Sequence, residues 1–418
     1  MKIVIVGGGI IGVTAAYYLQ KKGHELTVVD ASDFTRGCSF GNAGYVSPSH
    51  FTPLASPGII AQGLRWMLSA SSPFYIKPRL NADLLRWGLV FRRSATKATM
   101  EKNSVALNDL LQLSRRLTSE IKTEFDNAFQ MQEAGCFMLY QSAETEKHEK
   151  ELAEKAAAFG IETKVLDAAG VQALEPEVQI SVKGGVLYAI DAHLHPGLYM
   201  QTLLQHLEKV RVQFLPRTTV KGFSRSSGRV GVVRTSAGDL EADMVILAAG
   251  SWLPQLTRML GMPLLLQPGK GYSMTFENVQ KNLRHPAILV DDRVAMTPLG
   301  NSLRMGGTME ISGINETIRM NRVQAIFAAA KKYYPDLPVP FPDVQKIWSG
   351  LRPLSPDGLP YIGRAPKLDN VYVAGGHAML GVSLAAATGL LLQQMIDGKE
   401  TAVATEAFRV ERFNGSKK

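Results

Sequence analysis

The stretch KIVIVGGGIIGVTAAYYLQKKGHELTVVD, residues 2–30, decides the fold. Its first five residues form a β-branched run of the kind that fills a parallel strand buried on both faces. Gly7, Gly9 and Gly12 then satisfy G-x-G-x-x-G. Gly7 permits the tight turn, Gly9 lets a pyrophosphate approach the main chain, and Gly12 lets a helix over 10–22 pack against the sheet. Such a helix presents free N–H groups and the positive end of its dipole to phosphate. Gly23 ends it, ELTVV follows as a second strand, and Asp30 stands where a carboxylate accepts hydrogen bonds from a ribose. Together these predict a dinucleotide-binding βαβ unit. An acid at 30, with no arginine just after it, disfavours a 2′-phosphate and hence NADP. NAD and FAD share the adenosine half, so these residues leave both open.

The chain has 418 residues, enough for two domains, with 45% hydrophobic and 20% charged residues as in an ordinary globular protein. Its two cysteines, Cys38 and Cys136, belong to no CxxC or Cys/His cluster. That argues against a disulfide scaffold, a metal site or a dithiol pair, and suits a reducing compartment. The net charge of +9 is not gathered into basic runs interleaved with aromatics, so no nucleic-acid partner is expected. Three consecutive glycines spoil the opening stretch as a signal peptide, and no uncharged apolar run is long enough to span a bilayer. A cytoplasmic protein is expected, with peripheral contact at the inner face of the membrane as a further expectation. That contact is suggested by LRWMLSASSPFYIKPRL and LLRWGLVFRR, which combine tryptophan, phenylalanine and arginine as an interfacial segment does.

Further along, Leu107, Leu110, Leu111, Leu117 and Ile121 recur at helical spacing. CFMLY, QPGKGYSMTF, VAMTPLG and LRMGGTMEI read as strands of a largely antiparallel sheet. Near the C-terminus, DNVYVAGGHAMLGVSLAAATG is again strand, glycine-rich turn and helix. A second helix N-terminus of this kind would stabilise the negative charge of a reduced isoalloxazine, which favours FAD over NAD. Just before it, WSGLRPLSPDGLPYIG at 348–363 reads as a stiff proline- and glycine-rich loop carrying one cation, Arg352.

Taken in order, VIVGGGIIGVTAAYYL, GCSFGNAGYVSP, DAHLHPG, EADMVILAAGSW, QPGKGYSM, TPLGNSLRMGGTMEISG, GLRPLSPDGLPYIG and VYVAGGHAMLGVSLAAATG run nearly end to end. In these the chain resembles the FAD-dependent oxidoreductases that include D-amino-acid oxidase, glycine oxidase, sarcosine oxidase and bacterial D-amino-acid dehydrogenase. GNAGYVSP followed by RWML and RWGL is most similar to the last branch. The resemblance implies an α/β FAD-binding Rossmann-like domain of glutathione-reductase type, with an inserted α+β substrate domain on a mixed, largely antiparallel sheet. Segments 1–50, 145–250 and 340–418 would build the first, and 51–144 and 251–339 the second.

Residue by residue, the resemblance implies that Gly7, Gly9, Gly12 and Asp30 hold the ADP part. Ser39, Asn42, Ala43 and Gly44 would line the flavin, and Val220 would meet the adenine. Ala249, Gly250 and Trp252 would close on the pyrophosphate, and Gly376, His377, Gly381, Val382 and Ser383 would surround the pyrimidine end of the ring. The histidine used by relatives with covalent flavin corresponds to Gly41 here, and no cysteine follows Cys136, so noncovalent FAD is expected. Arg352 matches the arginine that grips the substrate carboxylate, a task suited to a rigid bidentate fork; its alternative is a structural pair with Asp357. Tyr272 is a candidate second contact, and Tyr45 and His50 follow the flavin loop. Met379 stands where some relatives carry a second carboxylate-binding arginine, which suggests a pocket for an apolar or cyclic side chain.

The implied activity is oxidative deamination of D-amino acids, with hydride transfer from Cα to flavin N5 and electrons passed to a quinone rather than O2. Alternatives are oxidation of a secondary amine such as D-proline or hydroxyproline, then sarcosine or glycine, and, in another class, a flavin module of an RNA-modifying enzyme.

Overall fold

A computed structural model describes residues 1–67 and 72–413, so part of the LRWMLSASSPFYIKPRL segment lies outside the described residues. Among these, a six-stranded sheet runs in the order Tyr361–Arg364, Val371–Gly375, Met244–Leu247, Lys2–Val6, Glu25–Val29, Gln213–Leu215. All neighbours are parallel except Tyr361–Arg364, which turns back along Val371–Gly375. The alternation of a strand puts Ile3 and Ile5 into one buried cluster and Val4 and Val6 into another. The first cluster is closed by helices Ile10–Gln20 and Gly381–Ile396. The second is closed by the small sheet of Val220–Ser226, Arg229–Thr235 and Gly238–Glu241, and by helix Leu253–Met259.

The two helices touch backbone to backbone. Thr14 Oγ1 donates to Ala385 O at 3.0 Å, and a Cβ on Gly389 would stand 2.6 Å from Thr14 O. The leucine stripe expected at 107–121 is the buried face of helix Lys97–Glu124.

A nine-stranded mixed sheet forms the other layer, in the order Ile347–Leu354, Gln267–Phe276, Ser302–Ile311, Val294–Leu299, Ala287–Leu289, Cys136–Tyr140, Gly184–Tyr188, Thr163–Asp167, with Phe74–Ile76 also paired to Ser302–Ile311. Its pairs are antiparallel except those of Ala287–Leu289 with Cys136–Tyr140 and of Phe74–Ile76 with Ser302–Ile311. Thr163–Asp167, Gly184–Tyr188 and Ile347–Leu354 lie in segments that the sequence reading placed with the nucleotide-binding part; as strands they belong to this second sheet. The supposed loop at 348–363 is largely strand, Ile347–Leu354 and Tyr361–Arg364, joined by a turn. Pro353 is tolerated because Ile347–Leu354 is an edge strand with one partner.

Candidate functional site

Between the two sheets lies a cavity of about 2290 Å³. Gly7, Gly9 and Asp30 form one end of its wall, and the Ser39–Ala43 loop runs along it. Gly7 adopts φ +115°, and a Cβ there would collide with Ala248 O at 2.5 Å; Gly12 would meet Gly7 O at 1.9 Å. Gly7 thus makes the tight turn and Gly12 the close packing for which their spacing was read. Gly9 differs: its Cβ would approach only Ser39 Oγ, at 3.5 Å, so its open side faces the cavity. Gly8 N–H donates to Asp30 Oδ2 at 2.6 Å, and Ser32 N and Oγ donate to Oδ1, which fixes the carboxylate on the wall.

Helices Ile10–Gln20 and Gly381–Ile396 both begin on this wall, and neither is capped by its own N-cap residue; in the first, Ser39 Oγ accepts the Ile10 N–H at 2.9 Å. Helices starting at Ala82, Lys97, Ala143 and Pro196 are capped by Asn81, Thr96, Ser142 and His195. Uncapped helix N-termini aimed into a cavity leave donors and dipole for an electron-rich ligand. A dinucleotide whose phosphates meet the first helix and whose ring meets the second fits this arrangement.

Val220, Ala249, Gly250 and Trp252 line the same wall, as do His377, Val382 and Ser383. Ser383 Oγ donates to Tyr45 O at 2.7 Å, tying the second helix start to the loop after Ala43. Burial drives His377 down to about 3, and its Nε2 lies 3.0 Å from Thr388 Oγ1, so it is a neutral, anchored ring. Gly44 and Gly376 are set back from the wall. Their φ values are +81° and +79°, and a Cβ would reach Leu194 O at 2.2 Å and the Tyr361 ring at 3.0 Å. Their conformation serves the turns they form.

Arg352 lies in the cavity on the edge strand. The alternative of a pair with Asp357 is not what forms: Arg412 takes that carboxylate with two bonds, Nε–Oδ2 at 2.8 Å and Nη2–Oδ1 at 2.9 Å. Among the described residues Arg352 has no acidic partner. Burial alone drives its guanidinium down to about 10, so it remains a cation near neutral pH. Its bed is built by a bulge. Lys270 pairs with Glu310 and Tyr272 with Gly307, so one residue of Gln267–Phe276 faces two of Ser302–Ile311. Within that bulge Thr308 takes φ +68°, rare for a β-branched residue. Its carbonyl accepts from Arg352 Nη1 at 2.5 Å. Gly271 makes room beneath: a Cβ would stand 2.2 Å from Nη1.

Tyr272 is next in the strand and, by alternation, points the other way. It is 1% exposed, and its hydroxyl donates to Glu310 Oε2 at 3.0 Å within a group that also holds Lys270 and Arg319. Its hydroxyl is thus engaged with Glu310 in this structure, although the residue still lines the cavity. Tyr45 is committed as well, its hydroxyl 2.8 Å from Ala287 O and 2.9 Å from Met296 O. Met379 is on the wall and 41% exposed, whereas His50 faces the cavity through the loop after Val46.

Two residues of the site had no role in the sequence reading. Arg304 donates to Phe40 O at 3.0 Å and Asn42 O at 2.6 Å and so holds the Ser39–Ala43 loop. Trp348 packs its indole where a side chain at Gly41 would go, 2.1 Å from the point a Cβ would occupy. Arg304 stood in the NSLRMGG motif with only its charge as a signal; the Trp348–Gly41 fit is between distant segments and left none.

The family model described as FAD dependent oxidoreductase matches residues 2–395. The chain is 32% identical over 424 residues to a D-amino acid dehydrogenase of Granulibacter bethesdensis, covering 99% of this chain and all of that one. In fold it is similar to glycine oxidase from Geobacillus kaustophilus, with TM-score 0.80, 21% identity and 98% of each chain covered. It is also similar to L-proline dehydrogenase from P. horikoshii, with TM-score 0.77, 20% identity, and 99% and 97% covered.

Proposed function

The chain belongs to the FAD-dependent oxidoreductases, and we propose that it oxidises D-amino acids to imino acids, which hydrolyse to 2-oxo acids and ammonia. The observation that carries this reading is Arg352, a half-buried cation with no acidic partner among the described residues, braced by the Thr308 carbonyl and facing the cavity. A rigid fork so placed binds a carboxylate bidentately and fixes Cα by its own position. FAD, when bound, takes up the hydrogen and both electrons released at Cα. The residues that would hold it, without a covalent bond, are Gly9 and the first turn of Ile10–Gln20 at the phosphates, and Asp30 at the ribose. The Ser39–Ala43 loop and the start of Gly381–Ile396 would hold its ring. His377, neutral and tied to Thr388, keeps its proton rather than moving one. The sheet above the cavity excludes water, which strengthens the pairing at Arg352. The D configuration is supported by the name of the Granulibacter relative.

Arg352→Ala should abolish anaerobic bleaching by D-amino acids while the protein keeps its yellow spectrum. Bleaching at unchanged substrate concentration would remove Arg352 from this role.

The electron acceptor is proposed to be a quinone met at a membrane face. Helix Ala82–Ser94 leaves Leu85 and Leu89 exposed at 61% and 59%, with Leu80 fully exposed and Arg86, Arg92 and Arg93 beside them. Such a combination suits an anionic bilayer surface. The double variant Leu85→Ser/Leu89→Ser should lose co-sedimentation with anionic vesicles; equal binding by the variant would exclude this helix.

A further inference from the structure

Arg304 is a second arginine of the cavity wall that the proposed reaction leaves without a chemical role. It is 8% exposed and has no acidic partner among the described residues. Burial alone lowers its guanidinium to about 10, so it stays charged near neutral pH. Thr275 is its neighbour across the strands, and Nε donates to Thr275 Oγ1 at 3.0 Å. Nη1 donates to Phe40 O at 3.0 Å and to Asn42 O at 2.6 Å. Ser273, on the same face of its strand as Thr275, donates through Oγ to Gly41 O at 3.1 Å. Three successive carbonyls of the loop are thus drawn onto one face of the large sheet.

The other side of the loop follows from peptide geometry. In a trans peptide the N–H points opposite to the C=O. The two peptides that Arg304 grips therefore turn the N–H groups of Gly41 and Ala43 away from it. Neither N–H has a partner among the described residues, and both residues line the cavity. Each gripped peptide is a dipole with its negative end on a cation, an arrangement that strengthens the N–H at its far end as a donor. A buried cation without an acid is costly to keep. A ligand that gains negative charge beside it would offset that cost.

In the proposed reaction a neutral amine loses hydride from Cα and becomes an iminium, while bound FAD gains two electrons, one proton and one negative charge. Two unpaired N–H donors backed by a cation favour the charged, reduced ring over the neutral, oxidised one. We propose that Arg304 is a positioning residue that raises the reduction potential of bound FAD, through the two peptides it orients and through its own uncompensated charge. This rests on the reading that the Ser39–Ala43 loop lines the flavin ring.

The test is the midpoint potential of the holoprotein, taken anaerobically with protein in excess over FAD, together with FAD retention. Arg304→Gln removes the charge but keeps an amide donor. It should disfavour the reduced form about tenfold or more, which lowers the midpoint by about 30 mV or more for a two-electron couple. Arg304→Lys keeps the charge without the fixed fork, and should stay within about threefold of the native equilibrium while holding FAD more weakly. Ser273→Ala loosens the same loop with no change of charge and should behave like Arg304→Lys. An unchanged potential in Arg304→Gln, or an equal drop in all three variants, would overturn the proposal and leave Arg304 as support for the loop. Should Arg304→Gln take up no FAD, Arg304→Lys decides. A tenfold shift there overturns the proposal, and a native potential with looser FAD supports it. If the native protein takes up no FAD, the flavin reading fails and takes this one with it. If it is yellow and its potential ignores position 304, only the role of Arg304 fails.

Discussion

At the scale of single residues, the site depends on how a cation is kept unpaired. Arg412 occupies Asp357 with two hydrogen bonds and lies 4.0 Å from the Tyr361 ring centre, which leaves the only acid close in sequence to Arg352 engaged. Arg352→Lys should therefore lower kcat/KM by about 100-fold or more although the charge is retained, because an ammonium cannot copy the fork; a loss under fivefold would show that charge alone suffices. Thr308 is the strained member of the pair. Thr308→Gly should raise the melting temperature by a few degrees, as glycine takes φ +68° without the ~1 kcal/mol cost borne by a β-branched side chain. A fall in melting temperature would show that the Thr308 side chain contributes more than the strain removes. That Arg352 stands in the cavity wall was foreshadowed by its motif. The Tyr272–Glu310 bond was not legible, because the motif says nothing about which face of the strand Tyr272 takes, and the bulge opposite it can be seen only with Ser302–Ile311 in place.

At the scale of elements, what could be read from sequence was local chemistry. Glycines at 7, 9, 12 and 23 and the acid at 30 marked the first turn, helix and strand because each need is met within a few residues. Ile347–Leu354 could not be recognised as a strand, since Pro353 and the prolines that follow argue locally for a loop and its partner strand, Gln267–Phe276, is distant in sequence. The crossing of Ile10–Gln20 with Gly381–Ile396 was equally hidden, although it sets both helix starts on the cavity. Gly389→Leu should force these helices apart, given the 2.6 Å approach to Thr14 O. The expected result is weakened FAD retention and a loss of several kcal/mol, on the order of that from other overpacked cores. Unaltered FAD affinity and melting would mean that the helix starts do not share one rigid support.

Across the whole molecule, buried ionisable groups pull the pH dependence in opposite directions. Burial holds His50 and His193 at about 4 and His377 at about 3. The unfolded chain therefore binds protons that the fold excludes, and stability falls as pH drops from about 6.5 towards 4. Burial holds Glu149 and Asp191 at about 7, so the fold keeps protons that the unfolded chain has released. That costs stability as pH rises from about 4 to 7. Burial lowers His148, His195 and His206 as well, so the excluded protons outnumber the retained ones and the melting temperature should fall as pH drops from about 6.5 towards 4.5. Glu149→Gln removes one retained proton; its advantage over the native protein should grow from pH 4.5 to pH 7, at up to about 1.4 kcal/mol per pH unit. A pH-independent difference in a calorimetric series would refute the assignment. The Trp348 indole against Gly41 has a different kind of consequence. A loop position filled by an aromatic ring from another segment has no side chain to bond a flavin, so the yellow form assembles by mass action. The amount of working enzyme in a cell would then track the supply of free FAD, and prolonged dilution should bleach the protein until the cofactor is restored.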